Sequence, residues 1–231
     1  MSIAENIEKL EERIQRACAS AGRKREEITL MGVSKFHPAE AAALAWDAGL
    51  RCFGESRVQE GRDKFAGFRE ARPGAELHLI GSLQRNKAKA AAAFFDCVQS
   101  IDRGPLVAEL AKHAAVQEKP LRILLELHTG EDSKSGFPGL DELYRAAELV
   151  LGCPSLCVYG LMTVAPNTGS TDLIRRSFRQ VAAARRELER RFPLPGGWSC
   201  LSMGMSGDFE TAIEEGSTML RIGSAIFGDR L

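Results

Sequence analysis

Eight times along this chain a short apolar run gives way to a helical pattern, and that alternation restricts the fold more than any single motif. The strand-like runs are "ITLMGVSK" (Ile28 to Lys35), "RCFGES" (Arg51 to Ser56), "ELHLIGSL" (Glu76 to Leu83) and "CVQSID" (Cys97 to Asp102). They continue with "LRILLELHT" (Leu121 to Thr129), "LCVYGLMTV" (Leu156 to Val164), "SCLSMGMS" (Ser199 to Ser206) and "MLRIGSAIFG" (Met219 to Gly228). Helical patterns separate them, the longest over Thr171 to Arg191. Another precedes the first run, where Ile3, Ile7, Leu10, Ile14 and Ala17 recur at helical spacing and Gly22 offers a stop. Strands that alternate with helices must pair in parallel, under a cover of helices. Eight such units in 231 residues predict a single α/β domain over residues 1–231, a closed (β/α)8 TIM barrel with an extra N-terminal helix. The rival, an open doubly wound sheet, expects fewer strands and a G-x-G-x-x-G turn after the first, which is absent.

Composition narrows the function. Lys plus Arg and Asp plus Glu are 31 each, with none of the basic excess of a nucleic-acid binder. No apolar run approaches the roughly 18 residues of a membrane span. The charged, amphipathic start lacks the apolar core of a secretory signal, so a cytoplasmic protein is expected. Cys18, Cys52, Cys97, Cys153, Cys157 and Cys200 are scattered, and the C-x3-C at Cys153 and Cys157 has no second ligand pair. Free, mostly buried thiols and no metal site are expected.

Barrels carry their chemistry at the C-terminal ends of the strands. The polar residues closing the runs are Lys35, Ser56, Gln84, Asp102, Thr129, Thr163, Ser206 and the segment around Ser224. Lys35 stands out, because an apolar run has little reason to end on a lysine. Partial burial favours a neutral amine, which attacks carbonyls and forms Schiff bases. Pairing with Glu55 or Asp102 accounts for such a lysine equally well. "MSGDFE" and "GSTMLRIGSAIFG" each place glycines and hydroxyls where a strand meets a helix, the makings of a phosphate cradle. Arg221, inside the last run, needs an acceptor: a core carboxylate or a ligand atom such as a ring nitrogen. A lysine, a phosphate cradle and an inward arginine together describe a pyridoxal phosphate site.

With these motifs in order, the sequence resembles the pyridoxal-phosphate homeostasis proteins, single-domain relatives of the alanine racemase barrel. The resemblance runs through "VSK" (Val33 to Lys35), "FGESRVQEG" (Phe53 to Gly61), "HLIGSLQRNK" (His78 to Lys87) and "SID" (Ser100 to Asp102). It continues through "GEDSKSGF" (Gly130 to Phe137), "GLMTVAP" (Gly160 to Pro166), "LSMGMSGD" (Leu201 to Asp208) and "GSTMLRIGSAIFG" (Gly216 to Gly228). It implies a Schiff base between pyridoxal 5'-phosphate and Lys35, and Arg221 opposite the pyridine nitrogen. Ser206, Gly223 and Ser224 would hold the phosphate, with Thr163 and Met203 as wall residues. Ser56 stands where the family usually has asparagine, and His128 replaces another common asparagine. An arginine, always protonated, does not hand the ring nitrogen a full proton, which weakens the ring as an electron sink. The resemblance therefore implies a cytoplasmic, monomeric, non-catalytic carrier that buffers the cofactor and delivers it to apo-enzymes.

The alternative is a pyridoxal-phosphate-dependent amino-acid racemase, which needs a second acid/base facing the lysine. The alanine racemases take a tyrosine for this from a separate C-terminal domain, whereas this chain reaches Leu231 just after its eighth strand. Its only tyrosines, Tyr144 and Tyr159, fall in a helix pattern and inside a strand, where packing roles are expected. Trp46 and Trp198 read the same way, and the basic helix from Thr171 reads as a solvated outer helix.

Overall fold

The computed structural model describes residues 2–130, 135–194 and 196–228. Among them, eight parallel strands close into a barrel in chain order, β8 returning to pair with β1. They are β1 (Thr29–Val33), β2 (Cys52–Glu55), β3 (Glu76–Leu79), β4 (Cys97–Ile101), β5 (Leu121–Glu126), β6 (Leu156–Met162), β7 (Cys200–Ser202) and β8 (Met219–Ile222). Outside lie α1 (Ile3–Ser20), α2 (Ala39–Asp47), α3 (Val58–Ala71), α4 (Ala88–Phe94), α5 (Gly104–Ala114), α6 (Leu140–Leu151), α7 (Thr171–Arg191), α8 (Phe209–Glu214) and α9 (Ser224–Phe227).

α1 is the predicted extra helix. Its N-terminus is a capping box in which Glu5 N donates to Ser2 Oγ and Ser2 N donates to Glu5 Oε2. Ile7, Leu10 and Ile14 form its buried face, which packs on α2, α8 and α9. Asn6 Nδ2 donates to Ile226 O at 2.9 Å, so α1 braces the short helix that follows the last strand.

The strands stop earlier than the apolar runs. β1 ends at Val33, and Lys35 lies in the following turn, where Phe36 takes a left-handed φ of 66°. A bulky residue holds that conformation only under external constraint. β2 ends at Glu55, leaving Ser56 just beyond it. β3 ends at Leu79 because Gly81 crosses the Ser56 backbone; a Cβ at Gly81 would stand 2.2 Å from Ser56 O. β7 is only three residues long, so Met203 and Ser206 lie in its loop. The last run divides: β8 ends at Ile222 and α9 begins at Ser224, because Gly223 takes φ −107° and ψ −82°, outside both regular regions.

Apolar side chains fill two layers. Between strands and helices, Phe53, Phe65 and Phe68 meet with ring centroids 4.9–5.5 Å apart. Inside the barrel pack Met31, Cys52, Cys97, Leu124, Met162, Cys200 and Met219. The β5–β6 register shifts at Tyr159, Ile123 pairing with Val158 and Leu124 with Gly160, a bulge that Gly160 serves with φ 157°. Cys18, Cys52, Cys97 and Cys200 are buried free thiols, whereas Cys157 is exposed. Trp198 is fully buried and donates Nε1–H to Phe192 O at 2.9 Å. Phe65→Ala should lower stability by about 3–5 kcal/mol, since a fully buried ring is lost and its neighbours cannot collapse. Urea denaturation of both proteins measures it.

Candidate functional site

A cavity of about 510 Å³ opens at the C-terminal mouth of the barrel, within the range of small-molecule sites. Its walls include Lys35 and His37 after β1, Ile80 after β3, Ser206 and Gly207 after β7, Arg221 from β8, and Gly223 and Ser224. Of the predicted residues, Lys35, Ser206, Arg221, Gly223 and Ser224 thus converge on one space. Thr163, Met203 and Ser56 are not among its walls. Thr163 is fully buried and acts on Arg221 through its backbone oxygen. Met203 is fully buried, and its carbonyl accepts from Ser217 Oγ at 2.7 Å. Ser56 packs its backbone against Gly81. Of the block Gly130 to Phe137, residues 131–134 lie outside the described residues.

The seam between the first and last strands assembles the site. Met31 pairs with Arg221 and Gly32 with Ile222, so the turn carrying Lys35 faces the turn carrying Gly223 and Ser224. Ala225 N donates to Ser206 Oγ at 3.3 Å, joining the two glycine- and hydroxyl-bearing segments. Met205 N donates to Asp208 Oδ1 at 2.5 Å, which closes the β7 loop beneath them. Gly223 and Ser224, where β8 gives way to α9, line the cavity wall beside Ser206.

Among the described residues, Arg221 donates to no core carboxylate. Nη1 donates to Ser202 O at 2.6 Å and Ser202 Oγ at 2.8 Å, and Nη2 donates to Thr163 O at 2.7 Å. Burial pulls its pKa down while the Glu126 charge opposes this, yet an arginine remains a cation. Behind it runs a buried chain. Ser202 Oγ donates to Gln99 Oε1 at 2.7 Å, and Gln99 Nε2 faces His78 Nδ1 at 2.7 Å. Glu76 only accepts, so His78 carries its proton on Nε2, 2.6 Å from Glu76 Oε1. Glu126, at the end of β5, accepts from Ser135 Oγ, and burial pushes its carboxyl above the usual range.

A second network holds the lysine turn. Glu55 was one expected partner for Lys35, but its Oε1 instead accepts from Lys64 Nζ and from Ser34 Oγ, each at 2.7 Å. Asp102, the other, pairs with Arg103. Lys64 Nζ also donates to Ser34 O at 2.7 Å, and Phe36 N donates to Glu60 Oε1 at 2.6 Å. The residues on both sides of Lys35 are thus fixed to β2 and α3, which supplies the constraint that Phe36 requires. Burial raises the Glu55 pKa, opposed by Lys64 and Ser34. His37 sits lower than an ordinary imidazole through burial and the nearby Lys64 cation, which favours its neutral form. Sequence reasoning missed Lys64, Glu60, Ser202, Gln99 and His78. The polar residues inside otherwise apolar strands, His78 and Gln99, were the available signal.

Comparison with known proteins matches the alanine racemase N-terminal domain model over residues 5–231. The chain is 43% identical to the pyridoxal phosphate homeostasis protein of Escherichia coli (strain K12), covering 99% of this chain and 97% of the relative. It is 42% identical to that of Vibrio cholerae serotype O1, with 99% and 97% covered. The structure of PipY of Synechococcus elongatus PCC7942 with pyridoxal phosphate bound superposes with a TM-score of 0.85 at 31% identity, covering 98% of this chain and all of that one.

Lys64→Met should destabilise the protein by about 3–5 kcal/mol, because it leaves the Glu55 carboxylate buried without its cation. The double variant Glu55→Gln/Lys64→Met should recover most of that loss, as no buried charge is then left alone. A double-mutant cycle in urea reads the coupling; additive losses would mean that the pair contributes nothing of its own.

Proposed function

We propose a function from the premise that the chain belongs to the pyridoxal phosphate homeostasis proteins, a family built on the alanine racemase N-terminal domain. The protein binds pyridoxal 5'-phosphate at the barrel mouth, links it covalently to Lys35, and holds it for other enzymes instead of turning over a substrate. The convergence of Lys35, Arg221, Ser206, Gly223 and Ser224 on one cavity carries this reading. The residues present fit the cofactor: an amine for an aldehyde, a fixed cation for a ring nitrogen, and hydroxyls with helix-opening amides for a phosphate. When bound, the cofactor supplies a reactive aldehyde on an electron-withdrawing ring.

Lys35 lines the cavity and would supply the amine that holds the aldehyde covalently. The Ser34–Glu55–Lys64 and Phe36–Glu60 contacts hold the turn so that the amine keeps one position. Arg221, anchored to Ser202 and Thr163, donates to the ring nitrogen without releasing its proton. Ser206 and Ser224 take the phosphate together with the amides at Gly223 and Ser224. The neutral form of His37, its ring 5.3 Å from that of Phe227, adds no charge to the wall. Thr163 and Met203 act from behind the wall, and Ser56 from beside it.

Racemisation requires an acid/base facing the lysine across the substrate, and the positions of the tyrosines argue against it. Tyr144 is buried on α6 under Arg191, its ring 4.1 Å away. Tyr159 stands beside Arg122 of β5, below the mouth. His37 lines the cavity but shares the turn of Lys35. In this reading the protein is a monomeric cytoplasmic carrier that buffers the free aldehyde and passes the cofactor to apo-enzymes.

Purified protein incubated with pyridoxal phosphate should turn yellow and be bleached by borohydride, and Lys35→Ala should abolish both effects. A Lys35→Ala protein that stays yellow and reducible overturns the assignment. Incubation with single L-amino acids should yield no D-enantiomer above the level produced by free cofactor; turnover beyond that level favours the racemase.

A further inference from the structure

We propose that the lower half of the barrel interior is a binding site for a divalent transition-metal ion of the zinc class, formed by Cys52, Glu76 and His78. The site stands apart from Lys35, at the far end of the hydrogen-bonded chain that runs from Glu76 through His78, Gln99 and Ser202 to Arg221. Cys52 opens β2 and pairs in register with Glu76, which opens β3. His78 comes two residues later and so shares the face of Glu76. The thiol sulfur, a carboxylate oxygen and an imidazole nitrogen all lie within 4.8 Å of one another. These are zinc donor types, and three protein donors leave a fourth position for water.

The surroundings suit an ion. Gln99 faces the other imidazole nitrogen at 2.7 Å, and Arg122 Nη2 donates to the Glu76 carboxylate at 2.5 Å, the kind of outer contact that orients metal ligands. Cys52 and Glu76 both line a cavity of about 290 Å³ at the base of the barrel, which provides an entry path. His78 now donates Nε2–H to Glu76, so coordination exchanges one hydrogen bond for bonds to the metal. Cys52 releases its thiol proton to solvent. The imidazole proton moves to Nδ1, and the Gln99 amide turns to accept it through Oε1, giving up the bond that Oε1 now accepts from Ser202 Oγ. One proton leaves per ion, and no electrons are transferred. The sequence hides the site because the whole of α3 separates Cys52 from the Glu76–His78 pair.

Chelator-treated full-length protein titrated with Co²⁺ should develop thiolate-to-cobalt charge-transfer absorption that saturates at one equivalent and is displaced by Zn²⁺. Cys52→Ser should lose this absorption, and the double variant Cys153→Ser/Cys157→Ser should keep it. Gln99→Leu should weaken cobalt binding about 10–100-fold. No charge-transfer band in the wild type, a band that survives Cys52→Ser, or one lost with the two outer thiols overturns the proposal. Alkylation of the wild type in mild urea, read by peptide mass mapping, keeps the test independent of variant folding. Zn²⁺ must slow labelling of Cys52 while leaving Cys153 and Cys157 reactive; unchanged labelling of Cys52 overturns the proposal.

Discussion

The pairing of the last strand with the first is the constraint from which the rest follows. Without the β8–β1 ladder, Lys35 and Arg221 belong to opposite ends of the chain. With it, Met31 and Arg221 become neighbours, and the turns after the two strands become opposite walls of one cavity. Closure also removes the exposed edges that eight parallel strands would otherwise present. Helix α1 stabilises that seam from outside through its contacts with α2, α8 and α9.

A closed barrel of this size must fill its interior with side chains, and this one places polar groups among the apolar ones. Each buried polar group then demands a partner, because an unpaired one is expensive in a low-dielectric interior. The Arg221–Ser202–Gln99–His78–Glu76 chain meets that demand by passing hydrogen bonds from strand to strand. The Glu55–Lys64 pair does so outside the sheet for one oxygen of the Glu55 carboxylate, Oε1, which takes both Lys64 and Ser34. In both cases satisfaction fixes geometry: the first immobilises the guanidinium at the mouth, the second the turn that carries the lysine.

A fixed arginine and a pinned lysine suit a protein that holds an aldehyde cofactor more than one that drives carbanion chemistry through it. The arginine offers a hydrogen bond and a charge without giving up its proton. The tyrosines stand away from the cavity walls. These features of the mouth support the proposed holding role.

Sequence alone was enough for the fold class, since eight alternations of strand and helix leave few closed arrangements. That Lys35, Ser206, Arg221, Gly223 and Ser224 would face one cavity was legible because the C-terminal ends of barrel strands converge whatever the helices outside do. It did not reveal where each strand stops: Val33 rather than Lys35, and Ile222 rather than Gly228, because local turn geometry at Phe36 and Gly223 decides that. Nor did it reveal which partner each buried charge takes. Glu55 chooses Lys64 over Lys35, and Arg221 chooses backbone oxygens over a carboxylate, because these choices depend on distances between residues far apart in the chain. Periodicity records which way a side chain points; only the folded packing determines what it meets.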